Sequence, residues 1–322
     1  MMKSRFMESV RTELRTRHYA LQTEKTYLYW IRQYILFNDT RHPETMGAPE
    51  IERFLNHLAV NRSVSRATQN IALCAVIFVY RHVLQIEVKD LAYSLSRKPR
   101  RLPTVLAPHE VSAILAHLDG QYWLITALLY GCGFRIHEVL RLRLKDICMV
   151  RKSILVFGGK GDKDRYTLLP TNLLARIEQQ MERAKAIHED DVAEGFGYTS
   201  LPPALLKKYK GVLRQTPWQY LFPSCMKSVN PYDQLVCRHH LHSSAYARQL
   251  RAAVSKSGVC KRVTAHTFRH SFATRLLETG SDIRTVQELL GHSDLRTTEI
   301  YTHVVGNQRA GTISPLDTIP LV

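Results

Sequence analysis

The stretch TAHTFRHSFATRLLETGSDIRTVQELLGHSDLRTTEIYTHV covers residues 264–304. Thr264 suits the N-cap of a helix that begins near Ala265. Phe268, Phe272 and Leu276 recur every four residues and predict one buried face, while His266 and Arg269 are three apart and share another. Gly280 ends this helix and Asp282 caps the next, whose Ile283, Val286, Leu289 and Leu290 are core positions. Gly291 closes the second helix and leaves His292 in a turn. Ser293 or Asp294 then caps a last helix carrying Tyr301. Packing accounts for the apolar positions. His266, Arg269, His292 and Tyr301 fall near element ends, where side chains can converge.

Such a set has a definite chemistry. A phenol has an ordinary pKa of about 10, so roughly one in a thousand is ionised at neutral pH. A nucleophilic tyrosine therefore needs cations or a base beside it. A phosphodiester under attack gathers negative charge on its non-bridging oxygens, and arginine forks match those oxygens in pairs. Guanidiniums can supply that stabilisation without a metal or other cofactor. Taken singly, each residue is ordinary: a lone tyrosine packs and a lone histidine is structural. The combination carries the signal.

Outward from this stretch, 322 residues are enough for two domains, and 45% hydrophobic content allows proper cores. Lys and Arg number 45 against 28 Asp and Glu, a formal charge of +17. This excess favours an extended polyanion as partner. The N-terminus, MMKSRFMESVRTELR, has no apolar signal-peptide region, and the runs 71–80 and 123–134 are short of the ~20 residues that span a bilayer. Membrane insertion is not expected. The six cysteines are scattered with no C-x-x-C pair, which suits free thiols in a reducing cytoplasm.

Residues 1–92 read as a helical bundle. Thr23 is the expected cap of a helix bearing Tyr27, Ile31, Tyr34 and Ile35. Pro49 opens a helix with the stripe Ile51, Phe54, Leu55 and Leu58, and Ser65 caps a third that runs to Val83. Residues 93–108, rich in proline and basic residues, read as a linker able to lie along a phosphate backbone. The second domain, 109–322, is expected to open with helices near 109–118 and 121–131. GCGFRIHEVLRLRLKDI (131–147) reads as glycines followed by a helix. SILVFGGKGDKDRYTLLP (153–170) reads as a β-hairpin with Lys160 near its tip, followed by helices at 171–187 and 240–257. The class is mainly α with a small β-hairpin or sheet.

The pattern H-x-x-R, then G-H, then Y nine positions later resembles the tyrosine recombinase (phage-integrase-like) family. AHTFRHSFAT, TVQELLGHSDLRTTEIYTHV, GCGFRIHEVLRLRLKDI and GGKGDKDR all look like that family's motifs, in its order. The resemblance extends over nearly the whole chain. It implies an N-terminal helical DNA-binding bundle and a C-terminal α+β catalytic domain. It implies that Arg135 and Arg269 grip the scissile phosphate, Lys160 protonates the leaving 5′ oxygen, and His266 is the general base. His292 would hydrogen-bond the phosphate, and Tyr301 would attack to form a 3′-phosphotyrosine. His270 and His303 match no catalytic position and read as structural or supporting. Glu138, three residues after Arg135, can orient it. The resemblance further implies a DNA partner, a homotetramer on two sites and a cytoplasmic, nucleoid-associated location.

The smallest members of the family that the chain resembles lack most of residues 187–222. LPPALLKKY and WQYLFPS look like the extra segment of integron integrases, although Lys210 and Gln215–Thr216 depart from that pattern and Phe157 stands where some relatives have tryptophan. Such enzymes act on attachment sites and on folded single-stranded cassette sites with extruded bases. The stacking candidates are Trp218, Pro231, His239, His240 and Phe157. CRHHLH (237–242) offers Cys237 and three histidines, but adjacent helical histidines diverge by about 100°, so no metal site is expected. Two alternatives stand beside this reading: a chromosome-dimer or phage-type recombinase acting on duplex sites, and a DNA-binding regulator without catalysis. The tail 306–322 ends in apolar Ile319, Leu321 and Val322, which suggests a pocket on a neighbouring subunit.

Overall fold

The computed structural model describes residues 4–88, 90–96, 103–157, 164–201, 209–230, 233–292, 294–299 and 301. The chain forms two compact units, Met1–Arg101 and Leu102–Val322.

The first unit is built on helices α1 (Arg5–Thr16), α2 (Leu21–Phe37), α3 (Ala48–Val60) and α4 (Arg66–Phe78). Glu50 accepts the Gly47 N–H at 2.9 Å to start α3 beside Pro49, and Ile51, Phe54, Leu55 and Leu58 are buried, as the stripe predicts. The Ser65 hydroxyl accepts the Thr68 N–H at 3.1 Å and starts α4. That helix continues as a π turn, Val79–Leu84, where the Tyr80 hydroxyl meets the Tyr34 hydroxyl at 2.9 Å in the core. α2 begins at Leu21 with Ala20 as its cap, three residues before the expected cap Thr23. The reason is Glu24. Its buried carboxylate, in the first turn of α2, accepts from Arg15 of α1 at 2.9 Å and lies 3.3 Å from Arg11, and this outweighs a threonine cap. Arg66–Leu84 is 19 residues long with a mean hydropathy of 1.3 and, among the described residues, is the one helix long and apolar enough to cross a membrane. Ala72, Ala75, Val76, Phe78, Val79 and Tyr80 face the bundle core instead.

The expected linker is tied at both ends. Ser94 and Ser96 bond to Asn56 and Gln69 of the first unit, and the Leu106 N–H donates to Ser271 of the second at 2.8 Å.

The second unit opens with α5 (Pro108–Leu115) and α6 (Gly120–Cys132). α6 is buried around most of its girth, so it is the central helix. GCGFRIHEVLRLRLKDI departs from expectation. Beyond Gly131 and Cys132, which end α6, only Ile136–Leu140 is α-helical (α7), followed by a 3-10 turn and a short strand β1 (Ile147–Cys148). Leu140, Leu142 and Leu144 alternate with Arg141 and Arg143, a period of two. The Leu142 carbonyl accepts from the Leu221 N–H at 2.8 Å, and the Leu144 N–H donates to Gln219 at 3.0 Å. These tertiary bonds replace the helical ones.

The expected hairpin is β2 (Ser153–Val156) and β3 (Arg165–Leu168), which with β1 make a three-stranded antiparallel sheet of register Ile154↔Thr167. Its tip, with Lys160, lies outside the described residues. α8 (Leu174–Ala193) leads into the extra segment. A second hairpin, β4 (Pro223–Val229) with β5 (Val236–His240), was not anticipated from sequence. It puts Cys237, His239 and His240 on a strand, so the expected helix begins later, as α9 (Ser243–Lys256). Among the described residues, three helices follow: α10 (Ala265–Glu278), α11 (Ile283–Leu290) and α12 (Arg296–Glu299). Thr264 and Thr267 bond to each other at the start of α10, and Asp282 accepts two N–H groups at the start of α11.

Candidate active site

α6 and α11 both end on a left-handed glycine, Gly133 at φ 66° and Gly291 at φ 63°. The last carbonyls of a helix lack intrahelical donors and carry the negative end of its dipole. Arg269, from α10, fills both ends: it donates to Gly133 O at 2.6 Å and to Leu290 O at 2.7 Å. Arg165, from β3, donates to Leu289 O at 2.9 Å. Neither glycine has room for a side chain. A Cβ on Gly133 would lie 2.4 Å from Phe272, and one on Gly291 would lie 2.9 Å from the Arg165 side chain.

Glu138 stands at the centre of the guanidiniums. Arg135 donates to it at 2.7 Å, Arg165 at 2.7 and 3.1 Å, and Arg269 lies 3.8 Å away. Burial alone would raise its carboxyl, but the Arg165 bonds and charge, with the backbone and side chain of Arg135, hold it at about 2. Burial, with Arg135 close by, draws Arg269 down to about 9, so it stays protonated at neutral pH.

The histidines and the tyrosine gather beside this cage. The Tyr301 hydroxyl lies 3.0 Å from Nδ1 of His270, and the whole residue is 1% exposed. Burial raises the phenol, and Arg269 and Arg135 partly offset this. The His292 ring stacks on Tyr301 at 16° with centroids 6.4 Å apart, and its Nδ1 meets the Thr298 hydroxyl at 2.9 Å. His266 lies one turn before His270, ring centroids 6.0 Å apart and nearly perpendicular. Burial comes first in pulling all three imidazoles down, and neighbouring cations add to it. His270 falls to about 4, His292 to about 3, and His266 below its ordinary range. All three rings are neutral at physiological pH. A polarised phosphate held by guanidiniums, next to a phenol with an imidazole partner, can undergo attack by that phenol.

Arg135, His266, Arg269, His292 and Tyr301 therefore come together, while Lys160 and Pro231 lie outside the described residues. Two further residues lie in this cluster: Arg165, which was not singled out, and His270, which was read as structural or supporting. Arg165 was present as the last letter of GGKGDKDR. His270 follows His266 by four and so shares its helix face, which was a usable signal.

The stacking candidates separate. Lys145 lies over the Trp218 ring at 4.7 Å and over Phe157 at 5.7 Å, joining the two aromatics across one cation. Arg143 is buried beneath, bonded to Thr199, Ser200 and Tyr220 and to the Trp218 carbonyl. His239 is exposed. His240 is 9% exposed, 4.1 Å from the His239 ring and edge-on to Tyr220, so its faces are covered.

The sequence model of the Phage integrase family matches residues 104–307, and that of the phage integrase N-terminal SAM-like domain matches 6–90. An Escherichia coli protein named Integrase/recombinase is 44% identical over 315 residues, covering 98% of this chain and 94% of that one. Tyrosine recombinase XerA of Thermococcus kodakarensis is 33% identical over 288 residues, covering 88% and 84%. In fold, the chain is similar to the Tn1549 transposon integrase solved with transposon right end DNA, at a TM-score of 0.62 and 14% identity, covering 95% of this chain and 99% of that one. With a family match over most of its length and relatives of this identity, the chain belongs to the phage integrase family and is a tyrosine-type site-specific recombinase.

Proposed function

We propose that this recombinase integrates and excises gene cassettes in the manner of integron integrases, cutting DNA through a 3′-phosphotyrosine link. Arg135 and Arg269 bind the non-bridging oxygens of the scissile phosphate, His292 adds a hydrogen bond, and Tyr301 attacks. Lys160 gives a proton to the leaving 5′ oxygen. The phosphotyrosine link conserves the energy of the broken phosphodiester, so rejoining needs no nucleotide cofactor. The partner is DNA, an attachment site or a folded single-stranded cassette site, and a cytoplasmic homotetramer bridges two sites.

The observation that carries the cassette reading is the half-exposed Trp218 in the extra segment, with Lys145 over its ring and the same cation also near Phe157. An aromatic platform beside a cation suits a base extruded from a folded strand, because stacking is indifferent to base identity. Trp218→Ala is expected to weaken binding to a hairpin strand with extruded bases by ~1–3 kcal/mol, and to change binding to its perfect duplex much less. Gel-shift titration of both substrates measures this. Equal losses on the two would end the cassette reading. They would favour the alternative of a recombinase acting on duplex sites.

A further inference from the structure

We infer that His270 is the proton acceptor for the nucleophile: its Nδ1 takes the phenolic proton of Tyr301 as the phenol oxygen attacks phosphorus. This goes beyond the residue set of the proposed function and rests on Tyr301 being the nucleophile.

The geometry carries the inference. Nδ1 and the phenol oxygen are 3.0 Å apart, inside the range for direct transfer. Tyr301 is 1% exposed, so bulk water is not there to take the proton. Among the described residues, His270 is the imidazole bonded to this hydroxyl, and His266 has no hydrogen bond to it. The groups facing His270 are His266 and Arg269 on its own helix, with Tyr301 and His292 from the elements packed against it. These surroundings keep the ring neutral before attack. A neutral imidazole has one acceptor nitrogen, and at Nδ1 it receives the Tyr301 O–H.

The step balances. The phenol oxygen forms a bond to phosphorus and the P–O5′ bond breaks. The phenolic proton moves to His270 Nδ1, and the departing 5′ oxygen takes a separate proton from its acid, Lys160 in the proposed function. As the bond forms, negative charge on the phosphate oxygens grows beside the ring and favours the imidazolium over the neutral form. In the reverse step that imidazolium returns its proton to the leaving phenol oxygen.

The test uses the full chain. Sites are isolated from a randomised pool of hairpin and duplex DNA by covalent capture on the wild-type protein. They are then remade with either oxygen or sulfur at the 5′ bridging position. A thiolate leaves without protonation, so sulfur rescues loss of the acid and not loss of the base. His270→Ala and His270→Asn are expected to form the covalent adduct at least about a hundredfold more slowly on both substrates, with DNA binding and melting unchanged. The asparagine variant preserves a polar side chain of similar reach and guards against misfolding of the alanine one. A near wild-type rate for His270→Asn would reduce the histidine to a holder and overturn the proposal. So would rescue of His270→Ala by sulfur. A covalent adduct that persists in Tyr301→Phe, or failure to capture any DNA, removes the nucleophile itself, a failure separate from that of His270 alone.

Discussion

Replacing Glu138 by glutamine keeps the side chain's size and removes the single negative charge among Arg135, Arg165 and Arg269. The carboxyl sits at about 2 in the folded chain against an ordinary 4.5. At about 1.4 kcal/mol per unit, that difference contributes about 3 kcal/mol to folding at neutral pH. The sign follows from the depressed value. The contribution is fully present above 4.5 and is lost as pH falls through about 2. Removing one partner of a buried ion pair costs ~3–5 kcal/mol in general, which agrees. Glu138→Gln is therefore expected to lower the melting temperature of the catalytic unit by about 6–12 °C near neutral pH. At about pH 3 the gap to wild type should shrink to roughly 1–2 kcal/mol, because wild type is losing the same charge. Urea titrations of both proteins at the two pH values measure it. A gap below about 1 kcal/mol at neutral pH, or one of equal size at both, would refute the carboxylate's role as the keystone of the cage.

Tyr301→Phe is expected to keep site binding and lose all covalent DNA product, read on a denaturing gel; a surviving adduct would point to another nucleophile. Gly291→Ala should cost about 1–2 kcal/mol from its left-handed backbone alone. It should also slow cleavage, because the new methyl displaces Arg165; unchanged urea midpoint and cleavage rate would show that the arginine has room. DNA affinity should fall steeply with salt, given a charge of +17, and a flat plot of log K against log salt would contradict backbone binding. Cleavage should persist in chelator, since guanidiniums supply the charge stabilisation; activity restored only by magnesium would replace this chemistry with a nuclease mechanism.

The legible parts of the sequence were those governed by local rules. Thr264, Gly280, Asp282 and Gly291 mark helix ends, and the apolar stripes of α3, α10 and α11 name their own buried faces. The region after Arg135 was misread because Leu140, Leu142 and Leu144 fit either period in so short a run, and residues 219–221 decide between them from far along the chain. The β4–β5 hairpin was missed for a related reason. PSCMKSV and VCRHH carry little alternation of apolar and polar residues, and an irregular register between Pro223 and Lys227 blurs it further. His270 was passed over because its partner is 31 residues away, and only the packing of α10 against the last helical turn brings the two together.

The arginine cage also has a charge balance. Among the described residues, three guanidiniums against one carboxylate leave two positive charges in excess. A phosphodiester at rest brings one negative charge, so the ground state remains one short of neutral. The five-coordinate species formed on attack by a phenol that has given up its proton carries two, and matches the excess. In the proposed reaction these electrostatics would hold the attacked phosphate more tightly than the resting one, which is the condition for speeding the reaction and not merely binding its substrate. Glu138 sets that difference: without it the cage would hold three positive charges, overmatching both states and blunting the preference between them.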